Sequence, residues 1–449
     1  LKIVIVGGVA AGTSAAAKAS REMEDAEIVI LEKDQDISYA GCGLPYYISG
    51  VIPERDQLIA NYPEEFSEKY GVEVKTGHEV TSLNLDDHRV EYKNLSDNTA
   101  GSEDFDRLIL ATGASPIIPP IPGIDLDNIF TLRRVNDADR IKKTVQSSRP
   151  ERVTIVGAGL IGLEMAESFA ELDMEVTLVE QQEHVLPLIP DELSEKLEDH
   201  LRDQEVELVL NDGVSHFSGG EKVREVVTES GRKLATDLVL NSIGISPDTE
   251  LAAEAGIELG VSDAIRVNTA METNRENVYA CGDCAETVNL VTGKKAWVPL
   301  GSTANKQGRT AGTNAAGGEA EHYGVLKTGI TKVFDFTVAA TGIQVEEAAK
   351  AGYDPVPITV KVPNHAGYYP GFEPFSLRGV FDRTSGRLLG AAAVGRDGVD
   401  KRIDVLASAI YAGQTADDLF QMDLGYAPPY STPKDPVAVL GMVAKKKVE

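Results

Sequence analysis

The chain has 449 residues, 42% of them hydrophobic, and sets 71 acidic against 43 basic side chains for a formal charge of −28. That length exceeds what one hydrophobic core usually serves, so two or three domains are expected, and acid spread along the whole chain excludes nucleic acid or an anionic membrane as partner. The three cysteines have no disulfide-framework spacing, no apolar run approaches the roughly 20 residues needed to span a bilayer, and the chain opens directly into an apolar strand; the expectation is a cytoplasmic protein.

The first predicted unit is strand, glycine turn, helix and strand. Ile3-Val4-Ile5-Val6 runs into Gly7-Gly8-Val9-Ala10-Ala11-Gly12, then a helix through Ser14-Ala15-Ala16-Ala17-Lys18 and a strand Ile28-Val29-Ile30-Leu31-Glu32. Gly7 permits the tight turn, Gly12 lets helix and strand pack closely, and the helix N-terminus faces a pyrophosphate. Glu32, at the end of the second strand, is placed to accept hydrogen bonds from a ribose and would repel a 2′-phosphate. Val9 stands where the fingerprint has its middle glycine, so an ordinary strand-to-helix turn is the competing reading.

Next comes Ser38-Tyr39-Ala40-Gly41-Cys42-Gly43-Leu44-Pro45-Tyr46-Tyr47, with a glycine-flanked cysteine at a predicted helix start. Helix N-termini lower thiol pKa values, so Cys42 is expected as a thiolate nucleophile; the alternative is a cysteine packed as a small hydrophobe. The strand Leu108-Ile109-Leu110 then leads into Ala111-Thr112-Gly113.

The second unit repeats the first with all three glycines: Val153-Thr154-Ile155-Val156, Gly157, Gly159 and Gly162, a helix through Glu164 to Glu167, and Val176-Thr177-Leu178-Val179-Glu180. Glu180 precedes Gln181 and Gln182 with no Arg or Lys to neutralise a 2′-phosphate, which favours NADH over NADPH. Glu164 has two readings, a residue that positions the nicotinamide or a first-turn acid complementing the helix dipole.

Beyond Ile243-Gly244-Ile245-Ser246-Pro247, the segment Cys281-Gly282-Asp283-Cys284 imitates a redox pair. It follows a strand and carries a central Asp suited to hydrogen-bonding a polyol chain, so both cysteines are expected to be structural. From about Lys327 the pattern turns β-rich, as in Ile358-Thr359-Val360-Lys361-Val362, and ends with a helix from Arg402 to Tyr411 and a Pro-rich tail.

Taken in order, these motifs resemble the pyridine nucleotide-disulfide oxidoreductases over essentially the whole chain. The resemblance implies an α/β fold with two Rossmann-like domains, for FAD and NADH, and a C-terminal α+β dimerisation domain. Residues 1–112 and 244–326 are the expected halves of the FAD-binding domain, 113–243 the NADH-binding domain, and 327–449 the dimerisation domain. Cofactor binding is implied for Gly7, Gly8, Ala11, Gly12, Glu32, Lys33, Ala111, Thr112, Gly113, Gly157, Gly159, Gly162, Glu164, Glu180, Gly244, Gly282 and Asp283, with no metal.

Two-cysteine members carry a second redox cysteine at the position of Tyr47, so the chain is similar to the single-cysteine branch of coenzyme A-disulfide reductases, persulfide reductases and NADH oxidases. That branch implies a homodimer in which Tyr368 and Tyr426 reach the partner's redox cysteine, with interface packing as the alternative for both. Catalytic roles are implied for Cys42, Ser38, Tyr368 and Tyr426, and contact with coenzyme A for Lys18, Arg21, Asn305 and Lys306. Ala10 replaces the histidine of peroxide-cleaving members, and Ile59-Ala60-Asn61-Tyr62-Pro63 lacks an expected basic residue. The implied activity is reduction of CoA disulfide, CoA persulfide or polysulfide by NAD(P)H, with CoA as substrate or bound thiol. No sulfurtransferase-like domain is expected, so free CoA or another protein would deliver any persulfide. An NADH oxidase cycling a sulfenic acid and a non-enzymatic FAD-binding redox sensor are the other readings.

Overall fold

The computed structural model describes residues 1–448, so the last residue of the expected third domain lies outside it. Five strands, Val278–Ala280, Arg107–Leu110, Lys2–Val6, Glu27–Glu32 and Glu73–Thr76, lie side by side in that order, all parallel. Parallel strands covered on both faces need continuous apolar runs. Ile3, Val4, Ile5, Val29 and Ile30 are accordingly closed to solvent. Val278–Ala280 joins this sheet from far along the chain, so the first unit is assembled from both sides of an insertion.

The insertion holds a second parallel sheet, ordered Glu207–Val209, Glu175–Val179, Arg152–Val156, Leu238–Asn241 and Ile129–Phe130. The chain leaves through Ala114–Pro116 and returns through Ile245–Pro247, which pair antiparallel. Asp248 fixes this crossover: its carbonyl accepts from Thr112 Oγ1 at 2.6 Å and its carboxylate from Ser115 Oγ at 2.9 Å.

Helix Ala10–Glu22 rests on helix Gly301–Ala315 with their backbones in close approach. A β-carbon on Gly308 would lie 2.3 Å from the Ala11 carbonyl oxygen, and one on Gly312 2.2 Å from that of Ala15. The turn at Gly7 is therefore backed by a rigid helix pair.

The C-terminal part is a five-stranded antiparallel sheet ordered Gly329–Val333, Phe336–Gly342, Leu388–Gly395, Pro374–Asp382 and Pro355–Pro363. Its central strand Leu388–Gly395 is buried throughout, under helices Val399–Tyr411, Ala416–Gln421 and Pro436–Val448. The helix expected from Arg402 begins earlier, at Val399, because Gly398 at φ 79° lets the chain turn into it there. Among the described residues no helix is long and apolar enough to cross a membrane.

Candidate active site

The two glycine turns are built alike. Gly7 and Gly157 sit at φ 105° and 101°, and each donates its N–H to the end of the neighbouring strand, at Leu31 and Val179. The acid that ends each second strand folds back onto its own turn. Glu32 accepts from the Gly8 N–H at 2.7 Å and the Asp34 N–H at 2.8 Å. Glu180 accepts from Ala158 N–H at 2.8 Å and Gln182 N–H at 2.9 Å. Burial raises the Glu32 carboxyl above its ordinary range, and the two N–H donors oppose that shift.

Neither helix N-terminus, at Val9 or at Gly159, is capped by a side chain, and a β-carbon on Gly159 would meet nothing within 4 Å. Gly159 therefore answers to no packing need of the protein itself. Helix N-termini with no side-chain cap, each with an acid one strand away, fit a dinucleotide pyrophosphate and ribose at both turns, and the second turn has open space beside Gly159. Gly282 adds to the first cradle: at φ 81°, its added β-carbon would fall 2.7 Å from Ala11 Cβ. Val9, where the fingerprint asks for glycine, leaves the turn geometry intact.

Cys42 lies in the short helical turn Gly41–Gly43, just before helix Leu44–Ser49. The residue is exposed to solvent, with its thiol partly enclosed by protein. The expectation of a lowered pKa is corrected here: burial pushes the Cys42 thiol up, and the Glu164 carboxylate adds to this, against the opposing charge of Arg133. A helix of under two turns offers too little dipole to outweigh both. Ser38 holds a left-handed φ of 48°, and its hydroxyl accepts from Asn61 Nδ2 at 3.1 Å.

Glu164 lies beyond the first turn of helix Leu160–Ala170, so the dipole reading of this acid does not hold. Its carboxylate instead accepts from Thr331 Oγ1 at 2.9 Å, across to the C-terminal sheet. Tyr47, at the position of a second redox cysteine, is buried and donates to Asp139 at 2.9 Å beneath Lys142.

Cys281 and Cys284 are both closed to solvent and unbridged. Cys284 Sγ faces the Leu110 carbonyl at 3.5 Å and that of Cys281 at 3.3 Å, and burial raises both thiols; neither resembles a reactive thiolate. The intervening Asp283 carboxylate accepts from Arg133 Nη2 at 2.6 Å, while Arg133 Nε donates to Ala114 O at 3.0 Å. Arg133 thus ties Ala114, directly after the Ala111-Thr112-Gly113 stretch, to Asp283 and is the cation that opposes Glu164 at Cys42. Sequence reasoning missed it; the basic doublet Arg133-Arg134 directly before helix Val135–Ser148 was the available signal.

Tyr368 and Tyr426 stand together on the C-terminal part, hydroxyl to hydroxyl at 3.4 Å, with Tyr368 77% and Tyr426 48% exposed. Their exposure shows that the two phenols are not packed within this chain, which agrees equally with a functional role and with interface packing. The residues expected to meet CoA lie on the helix pair: Asn305 Nδ2 donates to Ser14 Oγ at 2.9 Å, Lys18 pairs with Glu22, and Arg21 lies over the Tyr70 ring. Two glycine turns of the same build and one exposed, unbridged thiol in the same chain fit a dinucleotide-dependent thiol oxidoreductase.

The chain belongs to the pyridine nucleotide-disulphide oxidoreductases, whose family model matches residues 1–308 and whose dimerisation domain matches residues 329–436. It is an oxidoreductase that uses FAD and NAD(P)H. It is 40% identical over 445 residues to an NAD(P)H sulfur oxidoreductase (CoA-dependent) of Pyrococcus furiosus, covering 99% of each chain. To a coenzyme A disulfide reductase of Staphylococcus aureus it is 35% identical over 445 residues, 99% of this chain and 100% of the relative. The solved structure of a NAD-dependent persulfide reductase from A. fulgidus superposes with a TM-score of 0.97 at 38% identity, over 100% of this chain and 83% of that one.

Proposed function

We propose that the chain reduces a sulfur–sulfur bond carried by coenzyme A, as CoA disulfide, CoA persulfide or polysulfide, using NAD(P)H and the single redox cysteine Cys42. The observation that carries this reading is one exposed thiol in no disulfide, the other two cysteines being buried, in a chain that also presents a matched pair of exposed phenols. The working unit is a homodimer in which Tyr368 and Tyr426 serve Cys42 of the partner subunit.

The chemistry asked of these residues is limited. The Cys42 thiolate attacks one sulfur of the substrate; the Cys42–sulfur bond forms as the substrate sulfur–sulfur bond breaks, and the other sulfur leaves with the electron pair. Tyr426 donates the proton that converts this leaving thiolate to a thiol, a role open to a phenol within hydrogen-bond reach. Attack on an inner sulfur leaves a Cys42–CoA mixed disulfide, and attack on an outer sulfur leaves a Cys42 persulfide. When bound, FAD and NAD(P)H supply the two electrons that return Cys42 to the thiol state. Arg133 holds the Asp283 carboxylate, and Glu164 adds to burial in opposing ionisation of the thiol. Lys18, Arg21, Asn305 and Lys306 are the proposed contacts for CoA, the cations for its phosphates.

Product analysis tests this directly. Anaerobic turnover with CoA persulfide should release sulfide and free CoA in equal amounts, and turnover with CoA disulfide two equivalents of free CoA per NADH. NADH consumption without release of either thiol product would overturn the proposal.

A further inference from the structure

Arg402 is 2% exposed, an unusual place for a permanent charge. A buried guanidinium persists only where it is paired and hydrogen-bonded, and even then an apolar side chain often gives a more stable core. Its Nη1 donates to Gly398 O at 3.2 Å, and its Nη2 faces Asn364 O at 3.0 Å and Tyr430 O, Ser431 Oγ and Asp435 Oδ2 at 3.2 Å each. Asp435, 6% exposed, supplies the counter-charge. Its two oxygens are further held by Ser431 Oγ at 2.7 Å and the Val437 N–H at 2.9 Å.

What this hub joins is specific. Asn364 precedes Tyr368 in one loop, and Tyr430 follows Tyr426 in another. The two loops are tied at three levels: at the base by Arg402, midway by the Ala366 N–H on Pro428 O at 3.2 Å, and at the tip by the phenol pair at 3.4 Å. The Asn364 side chain closes the first loop on itself, donating to Gly371 O at 3.0 Å and accepting from the Glu373 N–H at 2.9 Å.

We propose that Arg402, neutralised by Asp435, is a positioning residue: by tying the loop of Tyr368 to the loop of Tyr426 it holds their phenols together at the acceptor site. This rests on the role proposed above for the tyrosines. Lysine in place of Arg402 keeps the charge that Asp435 needs but replaces the planar fork, which reaches Gly398 O and both loops from one fixed geometry, with a compact ammonium on a flexible stem that does not fix the loops relative to each other. The hydrogen bond with Tyr368 raises the Tyr426 phenol above its ordinary range, which gives a readout separate from turnover.

The experiment compares Arg402→Lys, the milder Ser431→Ala, Tyr368→Phe and Tyr426→Phe as FAD-loaded enzymes. Phenolate absorbance is titrated from about pH 8 to about pH 12, with the Tyr426 band assigned by its loss in Tyr426→Phe. Arg402→Lys should move that band down toward its position in Tyr368→Phe, with Ser431→Ala moving it the same way. Turnover with the sulfur acceptor should fall in Arg402→Lys, and adding it to Tyr426→Phe should cost no more than about twofold further, because groups acting through one contact are not additive. A band that stays at its wild-type position in both hub variants, or a penalty that multiplies in full onto Tyr426→Phe, overturns the proposal. Wild-type turnover in Tyr426→Phe alone would remove the acid role of the phenol, while the titration would still decide what Arg402 does.

Discussion

Gly12→Ala probes the first cradle with a single methyl group. The added carbon would fall 1.8 Å from the Gly7 carbonyl oxygen and 2.9 Å from its carbon, whereas a carbon and a carbonyl oxygen approach no closer than about 3.3 Å. Helix Ala10–Glu22 must therefore retreat by about 1.5 Å, and it cannot, because Gly308 and Gly312 already bring the next helix into backbone contact behind it. Overpacking with no route of relief belongs at the upper end of the usual 1–3 kcal/mol. About 3 kcal/mol is roughly a hundredfold in an equilibrium constant, and it falls on the turn proposed to face the FAD pyrophosphate. The assay is titration of the apo-variant with FAD, followed by flavin fluorescence, beside Gly220→Ala, whose added carbon meets nothing within 4 Å. FAD affinity should drop by about two orders of magnitude in Gly12→Ala and stay unchanged in the control. Wild-type affinity in Gly12→Ala would refute the reasoning.

Removing the negative charge with Glu164→Gln should lower the pH at which Cys42 becomes a thiolate, over the range in which Glu164 is ionised, because that carboxylate opposes ionisation of the thiol. The pH dependence of Cys42 alkylation measures this, and a midpoint that stays or rises contradicts it. Since burial holds the thiol above its ordinary value, alkylation of the wild-type protein should still be climbing on the alkaline side of neutrality. Tyr426→Phe should slow turnover with the sulfur acceptor by about a hundredfold, leaving stopped-flow reduction of bound FAD by NADH intact. The double variant Cys281→Ala, Cys284→Ser should keep its turnover, since the new hydroxyl can donate to the same backbone carbonyls that Cys284 faces; loss of activity with FAD still bound would reinstate these cysteines as a redox pair.

The parallel sheets were legible because their strands are short apolar runs ending at glycine turns, and Glu32 and Glu180 could be placed by spacing alone. Each of those signals is local. The charge at Cys42 was misread for the same reason: a glycine-flanked cysteine before a helix suggests a stabilised thiolate, but burial in the folded chain, joined by the Glu164 carboxylate arriving from the second nucleotide unit, raises the thiol instead. Arg133 escaped notice because its partners, Ala114 O and the Asp283 carboxylate, meet only after the crossover at Asp248 folds. Arg402 was taken only as the start of a helix, since no sequence pattern tells a buried arginine from an exposed one. The pairing of Tyr368 with Tyr426 came from resemblance; the chain places them in two loops, and only the folded C-terminal sheet brings them together.

The most direct test of the account is NADH oxidation measured anaerobically and aerobically, with CoA disulfide, CoA persulfide or polysulfide as acceptor, in wild type and in Cys42→Ser. The account predicts that anaerobic turnover requires a sulfur acceptor and vanishes in Cys42→Ser while NADH still reduces the bound FAD. Full turnover sustained by oxygen alone, with no gain from any sulfur acceptor, would contradict it.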